Sequence, residues 1–320
     1  MRIGQNPAKF VKNVATPERI TVAVLNYIPF LSGFYAQMLD VLNACLISIR
    51  ESAKTPFDLL VFDNASCEEV HQYLMDEYTH NRIQYLFLSD KNLGKGGAWN
   101  IMLSGAPGEI IAYSDNDCLY YPGWLEESVQ LLKTYPEVGM VTSRPFRTKP
   151  ELYSKTVEWA QSEPAVKLDN GNYIRFEVFQ EFDRSLGQSD EEIRDHYENS
   201  EDVRLTFKGV QAIVGASHWQ FVTEKRRIAQ FLPFDMDRPM GQVRQLDQRM
   251  NEAGYLRLML TQPRVMNMSN TLNDSRGTPI FDEKGRAKYS IKKHFLELTL
   301  VRKILMVIYD KIFRWYYDQH

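Results

Sequence analysis

Apolar residues in the first half of the chain come in short continuous runs, separated by segments with helical spacing. The runs are rich in β-branched residues, as is typical of strands buried on both faces of a sheet. They predict strands over residues 19–27, 57–62, 83–88, 110–113 and 138–142. The segments between them predict helices over residues 37–50, from Cys67 with Ser66 as its cap, through Met102 after the glycine-rich segment 92–97, and over 124–132. This alternation predicts an open, mostly parallel α/β sheet with helices on both faces.

The pattern changes after Pro145. Residues 146–206 are rich in charge, most of all at 190–202, and indicate either a solvated helix or flexible excursion, or a lid over a binding site. Further along, the pattern predicts a strand over 209–214, a helix from Ser217, a helix over 241–252 that Gly254 ends, and a strand over 255–260. Residues 290–317 predict an amphipathic helix that packs on its own domain, on a dimer partner or on an anionic membrane surface.

Composition narrows the class of protein. With 44% hydrophobic residues, the 320-residue chain can bury a sizeable core, and its net charge of −3 does not favour nucleic acid as a partner. The three cysteines have no metal-ligand spacing, which favours a reduced, cytoplasmic setting. Residues 1–16 lack the apolar segment of a signal peptide, and no apolar stretch reaches the ~18–20 residues of a transmembrane helix.

Polar clusters follow four of the predicted strands. They are Asn26-Tyr27, Asp63-Asn64, residues 92–97 and residues 115–117. In an open α/β sheet, ligands collect beyond the carboxyl ends of the strands, so four clusters there indicate a binding site.

Asp115 and Asp117 stand two residues apart at the end of the fourth strand, where two carboxylates repel each other. They either close the strand as a polar turn or bind a divalent cation, because Mg²⁺ and Mn²⁺ take carboxylates together with substrate phosphates and water. Asp63 suits a turn, or a ligand's N–H or O–H group. Lys95 lies among glycines at a helix start, which is either a solvated turn or a site for a diphosphate.

The ordered set of these segments resembles a family 2 glycosyltransferase of the GT-A fold. It comprises Asp63-Asn-Ala-Ser, Asn92-x-Gly-x-Gly-Gly-Ala-x-Asn100, Ser114-Asp-Asn-Asp117 and Pro122-Gly-Trp-Leu125, within residues 19–145. Residues 207–220 and 246–258 resemble the acceptor-side segments of the same family. The implied organisation is a nucleotide-sugar-binding half over 1–145, an acceptor-side half over 146–272 and a helical tail over 273–320.

The resemblance implies a metal-assisted, inverting transfer of a sugar from a UDP- or dTDP-linked donor to a hydroxyl of a glycan, a lipid-linked saccharide or a metabolite. The implied donor-binding residues are Asn26, Tyr27, Asp63, Asn92, Lys95, Asn100 and Asp115. The implied ligands of the cation, Mn²⁺ or Mg²⁺, are Asp115, Asp117 and Asn267. Asn267 stands where the family often has a histidine. His218 and Trp219 are candidates to line the acceptor pocket.

The predicted catalytic base departs from the commonest family pattern. Many members carry Glu-Asp where this chain has Gln242 and Val243, so Asp247 is the predicted base, with Asp235 and Asp237 in reserve. This departure and Asn267 keep a catalytically inactive scaffold subunit as an alternative. A sugar nucleotidyltransferase is a second alternative. It would normally have a glycine- and arginine-rich loop after the first strand, where this chain has Asn26-Tyr-Ile-Pro-Phe. We expect a cytoplasmic enzyme, at the inner face of the membrane if the tail binds there.

Overall fold

The computed structural model describes residues 4–237 and 242–272, without the side chains of residues 242 and 243. Its contacts divide the chain into one compact unit, Met1–Leu272, and a second, Asn273–His320. The amphipathic helix predicted over 290–317 therefore lies outside the described residues. Within the described ranges, none of the helices is both long and apolar enough to cross a membrane.

Twelve strands and nine α-helices make up the described part of the chain. The strands are β1 (Ile20–Asn26), β2 (Asp58–Asn64), β3 (Tyr85–Ser89), β4 (Ile110–Asp115), β5 (Cys118–Tyr120), β6 (Val138–Thr142), β7 (Val166–Gly171), β8 (Asp202–Phe207), β9 (Val210–Val214), β10 (Gln220–Glu224), β11 (Leu256–Met259) and β12 (Val265–Asn267). The helices are α1 (Met38–Ser52), α2 (Glu68–Thr79), α3 (Gly94–Gly105), α4 (Trp124–Thr134), α5 (Ser154–Ser162), α6 (Phe176–Ser185), α7 (Asp190–Glu198), α8 (Lys225–Ile228) and α9 (Gln242–Glu252).

Ten strands form one sheet in the order β3-β2-β1-β4-β10-β6-β11-β9-β8-β7, and β12 pairs with β5 in a small second sheet. The first four strands are all parallel, so their carboxyl ends meet at one edge. Beyond them β10 runs antiparallel to both neighbours, and β9, β8 and β7 form an antiparallel edge. The predicted α/β sheet flanked by helices is confirmed, with a mixed second half.

The core follows from the period of two along each buried strand. Alternate residues such as Leu25, Phe62 and Tyr113 pack in one cluster with residues of α3 and α9. A second cluster joins residues of α4 and α5 to the far strands. In the first cluster Trp99 of α3 is fully buried, and its ring lies 5.0 Å from that of Tyr113.

Three sequence predictions of local structure need correction. The helix predicted from Ser217 is wrong, because residues 220–224 form β10 and pair with β4 and β6. Ser66 does not cap α2; Cys67 occupies that position, and the Ser66 hydroxyl accepts the N–H of Ile28 instead. Residues 146–206 are not an unstructured excursion, because they supply three helices and two sheet strands, although α7 is the charged helix expected there.

Trp99 supplies a test of this core. Replacing it with alanine leaves a cavity between α3 and the sheet, so Trp99→Ala should lower the free energy of unfolding by about 3–5 kcal/mol. The matched control is Ile101→Ala in the same helix, where the side chain is 48% exposed. Urea denaturation of the full chain measures both, and equal midpoints for the two variants would contradict the packing described.

Candidate active site

Asn26 links the carboxyl ends of three parallel strands, β1, β2 and β4. Its amide Nδ2 donates to Asp63 Oδ1 at 2.6 Å and to Ser66 Oγ at 3.0 Å, and its Oδ1 accepts from Asn116 Nδ2 at 2.7 Å. Asn26 is fully buried, as expected for the last residue of β1, an interior strand of the sheet. The structure therefore brings together the strand-end clusters that were predicted to converge. Asn26 itself lies beneath the surface of the site.

Asp63 is also fully buried, and its second carboxylate oxygen is engaged as well. Oδ2 accepts the N–H of Ser66 at 3.0 Å and lies 2.8 Å from Nε2 of His71, which belongs to α2. His71 was not predicted, because nothing local in the sequence of α2 links it to Asp63. Tyr27, the next residue after Asn26, is partly exposed, and the centre of its ring lies 6.3 Å from that of Tyr35 in an edge-to-face arrangement.

The glycine-rich turn before α3 is held by two asparagines. Asn64 Oδ1 accepts the N–H of Leu93, and Asn92 Oδ1 accepts both Asn64 Nδ2 and the N–H of Gly94, each at 2.9 Å. Asn100 lies elsewhere: its amide exchanges two hydrogen bonds with the backbone of Phe234, at 2.9 and 2.6 Å. Through these two hydrogen bonds, Asn100 anchors the 232–237 loop on α3.

Lys95 pairs with Asp115 across the strand edge. Its ammonium lies 2.7 Å from Asp115 Oδ1 and 5.5 Å from the ring centre of Trp99, and its side chain is 11% exposed. The hydroxyl of Tyr113 also hydrogen-bonds this carboxylate. The positive charge predicted for a diphosphate is thus held at the edge of the site by Asp115.

Asp117 has a different environment from Asp115. Burial, followed by the nearby charge of Asp115, raises its pKa from 3.8 to about 7, despite the opposing effects of Lys95 and of a hydrogen bond from Asn267. Its other neighbour is the Cys118 thiol, with Sγ 3.9 Å from Oδ1. A carboxylate that is costly to ionise and has no ion-pair partner in the described part of the chain suits a divalent cation.

Asn267 is brought to Asp117 by the pairing of β12 with β5, where it lies opposite Cys118. Its amide oxygen accepts the N–H of Ser269 at 2.8 Å, while its hydrogen bond supports the Asp117 carboxylate. Within residues 4–237 and 242–272, no group of three or more His, Cys, Asp or Glu side chains could hold a metal ion. The protein ligands at hand for a cation are few, so a donor diphosphate and water would have to supply the rest.

Asp247 lies in α9 and is only 3% exposed. Its Oδ2 is 2.6 Å from Nδ1 of His218, and its Oδ1 accepts from Arg257 Nη2 at 2.5 Å. Burial lowers the pKa of Arg257, and the charge of Asp247 opposes that change. Arg257 was not predicted as the partner of Asp247, since the pair forms only when β11 packs beside α9.

His218 and Trp219 occupy the tip of a turn closed by the Ser217–Gln220 bridge. The carbonyl of Trp219 accepts the N–H of Asp115 at 3.0 Å, which holds this turn beside the two aspartates. The Trp219 ring stacks on Phe182 of α6, with centroids 5.6 Å apart. The reserve acids Asp235 and Asp237 are exposed in the 232–237 loop.

Comparison with known proteins identifies a family match. The model of glycosyl transferase family 2 matches residues 34–191, which confirms the resemblance found in the sequence. An uncharacterized glycosyltransferase of Nostoc sp. is 25% identical over 125 residues, covering 38% of this chain and 35% of the relative. The chain therefore spans about a third of the length of the curated relative it matches.

Solved structures with a similar chain path are distant in sequence. A mannosyltransferase from Pyrobaculum calidifontis in complex with GDP-Man and Mn²⁺ is 18% identical, with 80% of this chain and 60% of that chain covered and a TM-score of 0.44. GalNAc-T7 with UDP, GalNAc and Mn²⁺ is 14% identical, with 78% and 43% covered and a TM-score of 0.46. TarS of S. aureus, residues 1–349, is 12% identical, with 76% and 58% covered and a TM-score of 0.43.

The raised pKa of Asp117 makes the stability of the ligand-free protein depend on pH. The pKa of Asp117 is about 7 in the folded protein and 3.8 for the free side chain, which stands for the unfolded chain. Between these two pH values the folded state therefore binds more protons than the unfolded state. The free energy of unfolding should therefore fall as the pH rises through this window. Asp117→Asn removes the ionisation, so this variant should melt several degrees above the wild type at pH 8, with a gap that narrows towards pH 5.

Thermal melts in EDTA across this pH range measure the effect. Glu51→Gln is the control, because it removes the same charge at an exposed position of α1. A gap for Asp117→Asn that stays constant from pH 5 to pH 8 would contradict the burial of an ionising carboxylate.

Proposed function

We propose that this protein, whose residues 34–191 match glycosyl transferase family 2, is a GT-A glycosyltransferase. It would move a sugar from a UDP- or dTDP-linked donor to a hydroxyl of a glycan, a lipid-linked saccharide or a metabolite, with inversion at the transferred carbon. The observation that carries this proposal is Asp117, a partly exposed carboxylate with a raised pKa and without an ion-pair partner in the described region, at the edge where four parallel strands end. Such an edge is where open α/β sheets bind nucleotides.

The donor would enter along the strand ends that Asn26 joins. Tyr27 is partly exposed there and can contact a nucleobase, whereas Asn26 and Asp63 are buried and act by shaping the pocket. The turn held by Asn64 and Asn92 places backbone N–H groups at the start of α3, which suits diphosphate oxygens. Lys95 lies close by, although a diphosphate would have to compete with Asp115 for its ammonium.

The residues present fit a divalent cation that arrives with the donor. Asp117 would hold it, supported by Asp115 and by Asn267 beside it. When bound, Mn²⁺ or Mg²⁺ supplies Lewis-acid stabilisation of the departing diphosphate. The chain's own part is to place the ionised Asp117 carboxylate, to orient it through the Asn267 hydrogen bond, and to balance Asp115 with Lys95.

An inactive scaffold subunit remains the competing function, because the side chain predicted as base, Asp247, is buried and has partners on both oxygens. Binding alone does not separate the two functions, since a scaffold can retain a nucleotide site. Turnover of a donor separates them.

The first test measures binding of UDP and hydrolysis of a panel of nucleotide sugars, with Mn²⁺ or with EDTA. UDP with Mn²⁺ at 100 times its dissociation constant should stabilise the wild type by about 2.7 kcal/mol. Asp117→Asn should lose most of this stabilisation and of the hydrolysis, because it removes the charge that holds the cation. Glu51→Gln should retain both.

Two results decide against the proposal. If neither UDP nor dTDP shifts the melting temperature in Mn²⁺, the nucleotide site is wrong. If nucleotides bind and no donor of the panel is turned over, with or without candidate acceptors, the scaffold function replaces the transferase.

A further inference from the structure

Asp247 cannot meet a substrate hydroxyl directly in this arrangement. Its side chain is 4% exposed, and each of its oxygens has a strong partner, Arg257 on one side and His218 on the other. A general base must come within hydrogen-bond reach of the proton that it removes. The residue that leads from Asp247 towards solvent is His218, whose side chain is 25% exposed.

The hydrogen bond between the two side chains fixes the state of the imidazole. A carboxylate is only an acceptor, so the Nδ1 that faces Asp247 at 2.6 Å carries a proton. In the neutral ring the lone pair then lies on Nε2, the nitrogen that a base needs. Asp247 thereby selects the tautomer of His218 and stabilises the imidazolium when a proton is taken up.

Arg257 joins this pair to the turn that carries His218. Its guanidinium donates to Asp247 and also to the carbonyl of Ala216, two residues before His218, and its own carbonyl accepts the N–H of Gly215. Arg257 is fully buried, so the same cation neutralises Asp247 and fixes the backbone from which His218 projects. The three side chains form one rigid unit.

This unit lies at the edge of the sheet where the two aspartates stand. The N–H of Asp115 bonds the carbonyl of Trp219, the residue after His218, and β10 continues the pairing at Gln220 and Ser114. On the other side Trp219 packs on Phe182 of α6, which supplies an apolar wall. The turn that carries His218 is thus held between the strand edge proposed for the diphosphate and helix α6.

We propose that His218 is the catalytic base, and that Asp247 and Arg257 are residues that position it. This inference rests on the proposed function. Nε2 of His218 takes the proton of the acceptor hydroxyl, and the oxygen's electron pair forms the bond to the sugar's anomeric carbon. The bond from that carbon to the diphosphate breaks, and its electrons leave with the nucleoside diphosphate. The imidazolium then releases its proton to solvent.

The test uses the full chain and the donor of the nucleotide-sugar panel that the wild type hydrolyses fastest. His218→Ala and His218→Gln should lower kcat for hydrolysis by about 100-fold or more, the usual contribution of a general base. Mn²⁺-dependent UDP binding, measured by calorimetry, should stay within about threefold of wild type, and added imidazole should restore part of the turnover of His218→Ala. The control is His80→Gln, at a histidine that is 59% exposed at the end of α2.

The role of Asp247 is read from the ring nitrogens of His218 by ¹⁵N NMR. The wild type should show a proton on Nδ1 and a lone pair on Nε2, and Asp247→Asn should change that ratio. If Asp247→Asn does not fold, the wild-type spectrum alone decides, because a neutral ring protonated on Nε2 overturns the assignment.

The outcomes distinguish this inference from the proposed function. Turnover of both His218 variants within about threefold of wild type overturns the assignment of the base while leaving the transferase intact. A wild type that binds no nucleotide, or that binds donors and turns none over, overturns the proposed function and this inference with it.

Discussion

The buried amide of Asn26 is the interaction on which the strand-end site depends. A polar side chain without solvent must satisfy its hydrogen bonds inside the protein, and Asn26 does so with Asp63, Ser66 and Asn116. These partners come from the end of β2, from the loop after it and from the loop after β4, so a single buried group sets the spacing of three strand ends. The hydrogen bond from Asn116 to Asn26 also fixes Asp115 and Asp117, because Asn116 lies between them.

Charge is distributed unevenly over the carboxylates of this edge. Asp115 is balanced by Lys95 and Asp247 by Arg257, whereas the hydrogen bond from Asn267 and the more distant Lys95 only partly offset the burial of Asp117. Removing one partner of a buried pair leaves an uncompensated buried charge, so the burial of Arg257 and the burial of Asp247 depend on each other. The balanced acids join neighbouring segments of the site, whereas Asp117 has no ion-pair partner in the part of the chain that the structure describes.

The sequence predicted the elements that depend on local periodicity and missed those that depend on distant pairing. The continuous apolar runs of β1, β2 and β4 and the helical spacing of α1 specify their structures through residues near in the chain. The strand β10 was mistaken for a helix because its identity comes from β4, more than a hundred residues earlier. For the same reason the convergence of Asn26, Asp63 and Asp115 could be predicted from strand order, whereas the partners His71 and Arg257 could not.

The segment between β7 and β8 has a consequence for how this fold can diversify. Gly171 and Asp202 are partners in the ladder of those strands, so the thirty or so residues between them leave and rejoin the sheet at one place. Insertions whose ends are adjacent cost little when their length changes. A change in the length or sequence of α6 and α7 can therefore alter the surface beside Trp219, while β4 and β5, which flank Asp117, keep their register.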